Sequence, residues 1–214
     1  MHNQHQPVAR EGYPFIGLFA FVTLVFALLG WTLLTLILLG LTLFSVYFFR
    51  NPERAIPQDE DLVVAPADGK VVFVGPVEEE RYCKQRMTKV SIFMSVFDVH
   101  VNRVPCNGRV IDSYYHRGEF LNASYDKASE VNEQAGLLLE TEAGQRVLFV
   151  QIAGLVARRI VTYPVIGDLL QRGARYGLIR FGSRVDIYLP LAADVSITLG
   201  ERTVGGETIV GSLT

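Results

Sequence analysis

Between Tyr13 and Phe49 the chain runs for 37 residues without one Asp, Glu, Lys or Arg. A stretch of that kind folds stably where its backbone groups bond to one another and its side chains avoid water. As one helix it would reach about 55 Å at 1.5 Å per residue, against a hydrocarbon core of about 30 Å. Two shorter helices fit better, broken near Leu29-Gly30-Trp31-Thr32, where glycine loosens the helix and tryptophan favours the membrane–water interface. Arg10 lies before the stretch and Arg50 and Arg54 after it, so the positive-inside tendency places both flanks in the cytoplasm, as a hairpin requires. One long tilted span is the competing description, and it would put the two ends on opposite sides. A signal peptide is a poorer fit, because its apolar region would be only about 7–15 residues and this one is far longer.

This divides the chain into a tail, 1–12, a membrane anchor, 13–49, and a polar domain, 50–214, long enough to bury a core. The formal net charge of −2 argues against a nucleic-acid partner. Cys83 and Cys106 have no CxxC spacing, and two of the four histidines, His2 and His5, fall in the tail. The thiols read as free ones in a reducing compartment, and no protein-built metal site is expected.

Beyond Pro57, short β-branched and apolar runs alternate with Gly, Pro and Asp turns. Strands are predicted at Leu62–Ala65, Lys70–Val74, Lys89–Met94, Arg109–Tyr115, Gly136–Glu140, Arg146–Ile152, Gly177–Phe181, Arg184–Leu189 and Asp194–Leu199. One helical stretch is predicted at Ala123–Glu133, and Glu78-Glu79-Glu80 reads as a solvated acidic loop. Without long crossover helices the sheet should be mostly antiparallel. The fold class expected is mainly β: a hammerhead or lipoyl-like antiparallel sandwich with few short helices, preceded by a transmembrane or re-entrant helical hairpin. The chain has no Met-Lys-Met for a carrier to modify, and its one Asp-Lys-Ala, residues 126–128, lies in the predicted helical stretch rather than at a hairpin tip.

Two Gly-Ser pairs occur, Gly182-Ser183 and Gly211-Ser212. A serine hydroxyl can attack the carbonyl of the residue before it, turning the amide into an ester. Elimination then leaves dehydroalanine, which hydrolyses to ammonia and an N-terminal pyruvoyl group. Glycine helps by tolerating the backbone this attack needs. By itself Gly-Ser is commonly just a turn. Gly182-Ser183 interrupts two strand-like runs where Asn-Gly or Asp-Gly would be the usual joint. Cleavage there leaves 32 residues, Ser183–Thr214, enough to stay woven into the sheet, whereas cleavage at Gly211-Ser212 would leave three. His100 follows Asp98 at the i, i+2 spacing that sets both on one face of a strand, and its imidazole suits acid–base work near neutral pH.

Four segments stand in a telling order: Phe48-Phe49-Arg50-Asn51-Pro52-Glu53-Arg54, Ala65-Pro66-Ala67-Asp68-Gly69-Lys70-Val71, Phe93 to Arg103, and Arg180-Phe181-Gly182-Ser183-Arg184-Val185-Asp186. In them the chain resembles the short bacterial and archaeal form of the phosphatidylserine decarboxylase proenzyme. The resemblance implies autocleavage into a β chain, 1–182, and an α chain, 183–214, which remain together as a heterodimer. It implies a covalent pyruvoyl cofactor made from Ser183 that forms a Schiff base with phosphatidylserine in the bilayer and releases CO2 and phosphatidylethanolamine. It further implies a homodimer, and with the arginine flanks a catalytic domain on the cytoplasmic face of the inner membrane. Asp68 matches the family aspartate that helps activate the serine; as a residue it equally fits an Asp-Gly turn. In one departure, Arg103 stands where the longer bacterial form keeps a second histidine, and arginine cannot act as a base at neutral pH. Either His100 serves both steps or another group does, with His116 a weaker candidate. Arg103, judged on charge alone, would bind the lipid phosphate or carboxylate. An archaetidylserine substrate fits the same motifs. A membrane-tethered lipoyl-like adaptor without activity fits the anchor and turns, but gives Gly182-Ser183 no role.

Overall fold

The computed structural model describes residues 6–119, 131–154, 159–180 and 183–213. It divides into two compact units, Met1–Glu53 and Arg54–Thr214.

The first unit is a helical hairpin of α1 (Tyr13–Leu28) and α2 (Thr32–Phe48). Their break falls at residues 29–31, as the glycine suggested, with Gly30 at φ +75° in the left-handed region where a Cβ would strain the backbone. The helices fold back on each other: Thr23 and Thr42 Oγ1 lie 3.3 Å apart, and each hydroxyl also returns to the carbonyl four residues earlier. At the base, a Cβ on Gly12 would collide with the Phe49 ring, and Phe15 stacks on that ring. Leu18, Phe21, Leu24, Leu33 and Leu36 point outward and are exposed, an apolar surface suited to lipid rather than water. The helical segment Arg10–Leu28 is long and apolar enough to cross a membrane; α2 is shorter.

The second unit is mainly β. Its strands are β1 (Leu62–Val64), β2 (Gly69–Glu79), β3 (Gln85–Met94), β4 (Val101–Arg103), β5 (Gly108–His116), β6 (Gln134–Glu140) and β7 (Arg146–Ala153). They continue with β8 (Ile160–Thr162), β9 (Leu169–Leu170), β10 (Arg175–Ile179), β11 (Ser183–Pro190), β12 (Asp194–Val195), β13 (Arg202–Thr203) and β14 (Ile209–Ser212). Every pairing among the described strands is antiparallel. The curled main sheet runs β13-β2-β3-β11-β7-β6-β5-β9, beside two three-stranded sheets, β4-β10-β8 and β1-β14-β12. β11 therefore sits in the middle of the main sheet, gripped by β3 and β7. Its alternate residues Val185, Ile187 and Leu189 face the main core with Val90, Ile92 and Phe149.

The predicted helix at Ala123–Glu133 falls almost wholly outside the described residues. The run Asp194–Leu199 is strand only at Asp194–Val195. Glu79 departs from the solvated loop expected of it. It ends β2 at 6 % exposure, and its carboxylate accepts the backbone N–H groups of Arg81, Tyr82 and Cys83, fixing the turn into β3. Both cysteines are free. Burial pushes the Cys106 thiol up to about 12, and burial together with the Glu79 carboxylate pushes Cys83 up to about 11. Only the thiolate is nucleophilic, so at pH 8 about one Cys83 in a thousand is reactive. Iodoacetamide at that pH is expected to leave both thiols intact in the folded protein and to alkylate both in guanidinium, as counted by mass.

Candidate active site

Ser183 opens β11 opposite Met94 of β3 on one side and Ala153 of β7 on the other. It is fully buried, and strand alternation turns its side chain to the same core face as Val185. Its Oγ donates to the Met94 thioether, Oγ to Sδ 3.4 Å. The expected joint between two adjacent strands takes a different form: β10 belongs to the sheet with β4 and β8, so the chain changes sheets just before Ser183. Phe181 and Gly182 lie outside the described residues.

His100 comes to this end from the other sheet. It is buried just ahead of β4, whose Val101 pairs with Leu178 of β10, and its carbonyl accepts the N–H of Ile179. The ring Nδ1 lies 3.0 Å from the Asp98 carbonyl oxygen. A carbonyl can only accept, so Nδ1 carries the proton and the neutral ring keeps Nε2 as its basic nitrogen. Asp98 and His100 do not share one face of a strand. Residues 95–98 form a turn, not a strand, and the carbonyl rather than the carboxylate meets the imidazole. The Asp98 carboxylate accepts the Ser95 N–H (2.8 Å) and pairs with exposed Arg202 (3.3 Å).

Asp68 lies in the turn entering β2. Its carboxylate takes both oxygens to Arg54 Nη2, at 3.0 and 2.8 Å, and accepts the Gly205 N–H at 2.7 Å. The two carbonyls just before Asp68 are also held, Pro66 by Arg103 N–H and Ala67 by the Thr203 hydroxyl. Gly69 is required by contact: a Cβ there would stand 2.2 Å from the Phe93 carbonyl oxygen. That approach brings Asp68 beside the Met94 end of β3, itself the neighbour of Ser183, so that Asp68 lies two strands from β11. Arg54 and Gly205 escaped the sequence reading, since nothing local ties them to residue 68. Arg54→Ala leaves a largely buried carboxylate with one donor fewer, and is expected to cost about 1.5–3 kcal/mol, read from urea midpoints in a Ser183→Ala background.

Arg103, read as a ligand on charge, is 7 % exposed and donates Nη1 to the Gly173 carbonyl at 2.8 Å, a bond that ties β4 to the turn before β10. His116 ends β5 on the surface. It shares a cross-sheet row with Gln134, Ile152 and Arg184, at the Ser183 end but three strands from β11, roughly 14 Å at ordinary strand spacing.

The model of the family described as phosphatidylserine decarboxylase matches residues 41–211. The phosphatidylserine decarboxylase proenzyme of Syntrophotalea carbinolica is 68 % identical over 213 residues, covering the whole of both chains. Proenzymes of the same name from Geotalea uraniireducens and Geobacter sulfurreducens are 54 % and 53 % identical, again over the full length of each. The class this defines is a decarboxylase whose relatives are made as proenzymes. The chain belongs to the phosphatidylserine decarboxylase family.

Proposed function

We propose that the chain cleaves itself between Gly182 and Ser183 and, with the pyruvoyl group so formed, converts phosphatidylserine to phosphatidylethanolamine and CO2 at the membrane. The observation that carries this is Ser183 itself, fully buried at the head of β11, with His100 held beside β10 in the neighbouring sheet and the Asp68 turn packed on the end of β3. A serine meant for an external substrate would be expected at the surface. One held in the core, bonded only weakly to a thioether, suits attack on its own backbone, and so the residues fit the group.

Ser183 Oγ adds to the Gly182 carbonyl carbon, the amide C–N bond breaks and an ester forms. His100 Nε2, kept basic by the Nδ1 bond to Asp98, takes the hydroxyl proton and returns it to the freed amine. Loss of the Cα proton then expels the Gly182 carboxylate, and one water releases ammonia. With Arg103 unable to act as a base, His100 serves the lipid reaction as well. Asp68, locked by Arg54 and Gly205, holds the turn against the end of β3. The pyruvoyl ketone supplies an electron sink for the pair released with CO2 once the lipid amine has joined it. After cleavage β11 keeps both neighbours, and β13 and β14 remain on β2 and β1, so the two chains stay one body. The apolar hairpin carries the catalytic unit to its lipid, and the arginines at both of its ends favour the cytoplasmic face of the inner membrane.

Intact mass of the purified full-length protein tests this. Two chains are expected, the smaller of 32 residues and labelled by a hydrazide reagent at its N-terminus, together with CO2 release from phosphatidylserine vesicles. An active preparation holding only the unprocessed 23.9 kDa chain would overturn the proposal.

A further inference from the structure

Ser183 is not the only group that reaches the Met94 sulfur. Asn102 Nδ2, on β4, also donates to Sδ at 3.5 Å, so the amide and the Ser183 hydroxyl meet on one atom from two different sheets. Asn102 is in turn fixed: its Oδ1 accepts from Gln151 Nε2 at 2.8 Å, and Gln151 Oε1 accepts from the Thr162 hydroxyl at 2.7 Å. The bonds run in one direction, from Thr162 on β8 through Gln151 on β7 and Asn102 on β4 to Met94 on β3. Asn102 and Gln151 are fully buried, as are Met94 and Ser183. A row of polar side chains in a core persists when each is satisfied, and here the row ends on the residue that touches the scissile position.

We propose that Met94, held in place by Asn102 and through it by Gln151 and Thr162, is a positioning residue for self-cleavage, an inference that rests on Ser183 being the residue that cleaves. A thioether is a weak acceptor, which is what the step needs. The sulfur fixes the rotamer of the hydroxyl by accepting its proton, which leaves the oxygen lone pairs out of that bond. It is too poor a base to keep the proton, so the hydroxyl turns to His100 at little cost. Asn102, by occupying the other side of the sulfur, prevents Met94 from swinging to another of its rotamers.

The test is the half-time of processing, followed on denaturing gels after synthesis of the full chain. Met94→Leu keeps the bulk and removes the acceptor, and is expected to slow processing about three- to tenfold, the worth of one weak hydrogen bond. Asn102→Ser should slow it similarly, yet add nothing further in the Met94→Leu background, because it acts through the same sulfur. A purely structural part for Asn102 would slow both backgrounds by the same factor, and that result would overturn the inference. So would Met94→Leu processing at the parental rate. If Asn102→Ser does not fold, Thr162→Val, at the outer end of the row, takes its place in the cycle. Ser183→Ala in parallel separates the two claims: if it still processes, the self-cleavage reading itself has failed. If it is inert while Met94→Leu is unaffected, only the positioning role is lost.

Discussion

Ser183→Ala is expected to accumulate as one 23.9 kDa chain, with decarboxylation of phosphatidylserine below detection however long it is incubated. Without the hydroxyl there is no nucleophile for the N-to-O shift and no precursor of the ketone, so one substitution removes both processing and turnover. The fold should not suffer. The hydroxyl's recorded bond is to a thioether, and losing it costs about 1 kcal/mol or less. An alanine methyl is moreover at home on a face shared with Val185 and Ile187. Ser212→Ala is the matched control. The other Gly-Ser pair lies within β14, where Gly211 pairs with Val63 and Val195, and a Cβ on Gly211 would stand 2.2 Å from the Asp194 carbonyl. That glycine is explained by strand packing alone, and Ser212→Ala should process like the parent. Two bands from Ser183→Ala on a denaturing gel would move the reactive position elsewhere.

Much of this was readable in the sequence for physical reasons that can be named. The hairpin followed from 37 uncharged residues with a glycine near the middle, because length and the lack of charge leave few alternatives. β7 and β11 followed from their β-branched and apolar runs, Val147–Val150 and Val185–Leu189. What stayed hidden depends on contacts distant in sequence. The three-residue strands β4 and β8 have no pattern of their own and exist through β10 between them. Arg54 finds Asp68 only once the chain has folded, and the charge of Arg103 gave no sign of its bond to the buried Gly173 carbonyl. Glu79 misled in the same way: a carboxylate in an acidic run is ordinarily solvated, and here three backbone donors draw it inward. Asp98 supplied the right neighbour for His100 through the wrong atom.

Arg184 and Asp186 are the sharpest case, and they set the largest stability effect expected of a single substitution. On β11 they alternate with Val185 and Ile187, a pattern that ordinarily marks a solvent face. Yet their side chains are 2 % and 0 % exposed, joined as a fork with Nε to Oδ1 at 2.8 Å and Nη2 to Oδ2 at 3.1 Å. Arg184→Met should cost about 3–5 kcal/mol, because it leaves the Asp186 charge buried without its principal counter-ion. Asp186→Leu should cost about as much by stranding the guanidinium. Arg184→Met with Asp186→Leu should lie close to the parent, since an apolar pair of similar bulk needs no desolvation of charge. Urea midpoints in the Ser183→Ala background measure this, with an unchanged slope showing that the same cooperative unit unfolds. The pair also begins one residue after the scissile position, in the strand that the α chain keeps after cleavage. Each single variant should therefore process more slowly as the head of β11 loosens, and the double variant should recover the rate. If the double variant proves as unstable as either single one, the fork is not what keeps the charges in the sheet, and the surrounding polar groups must hold each of them separately.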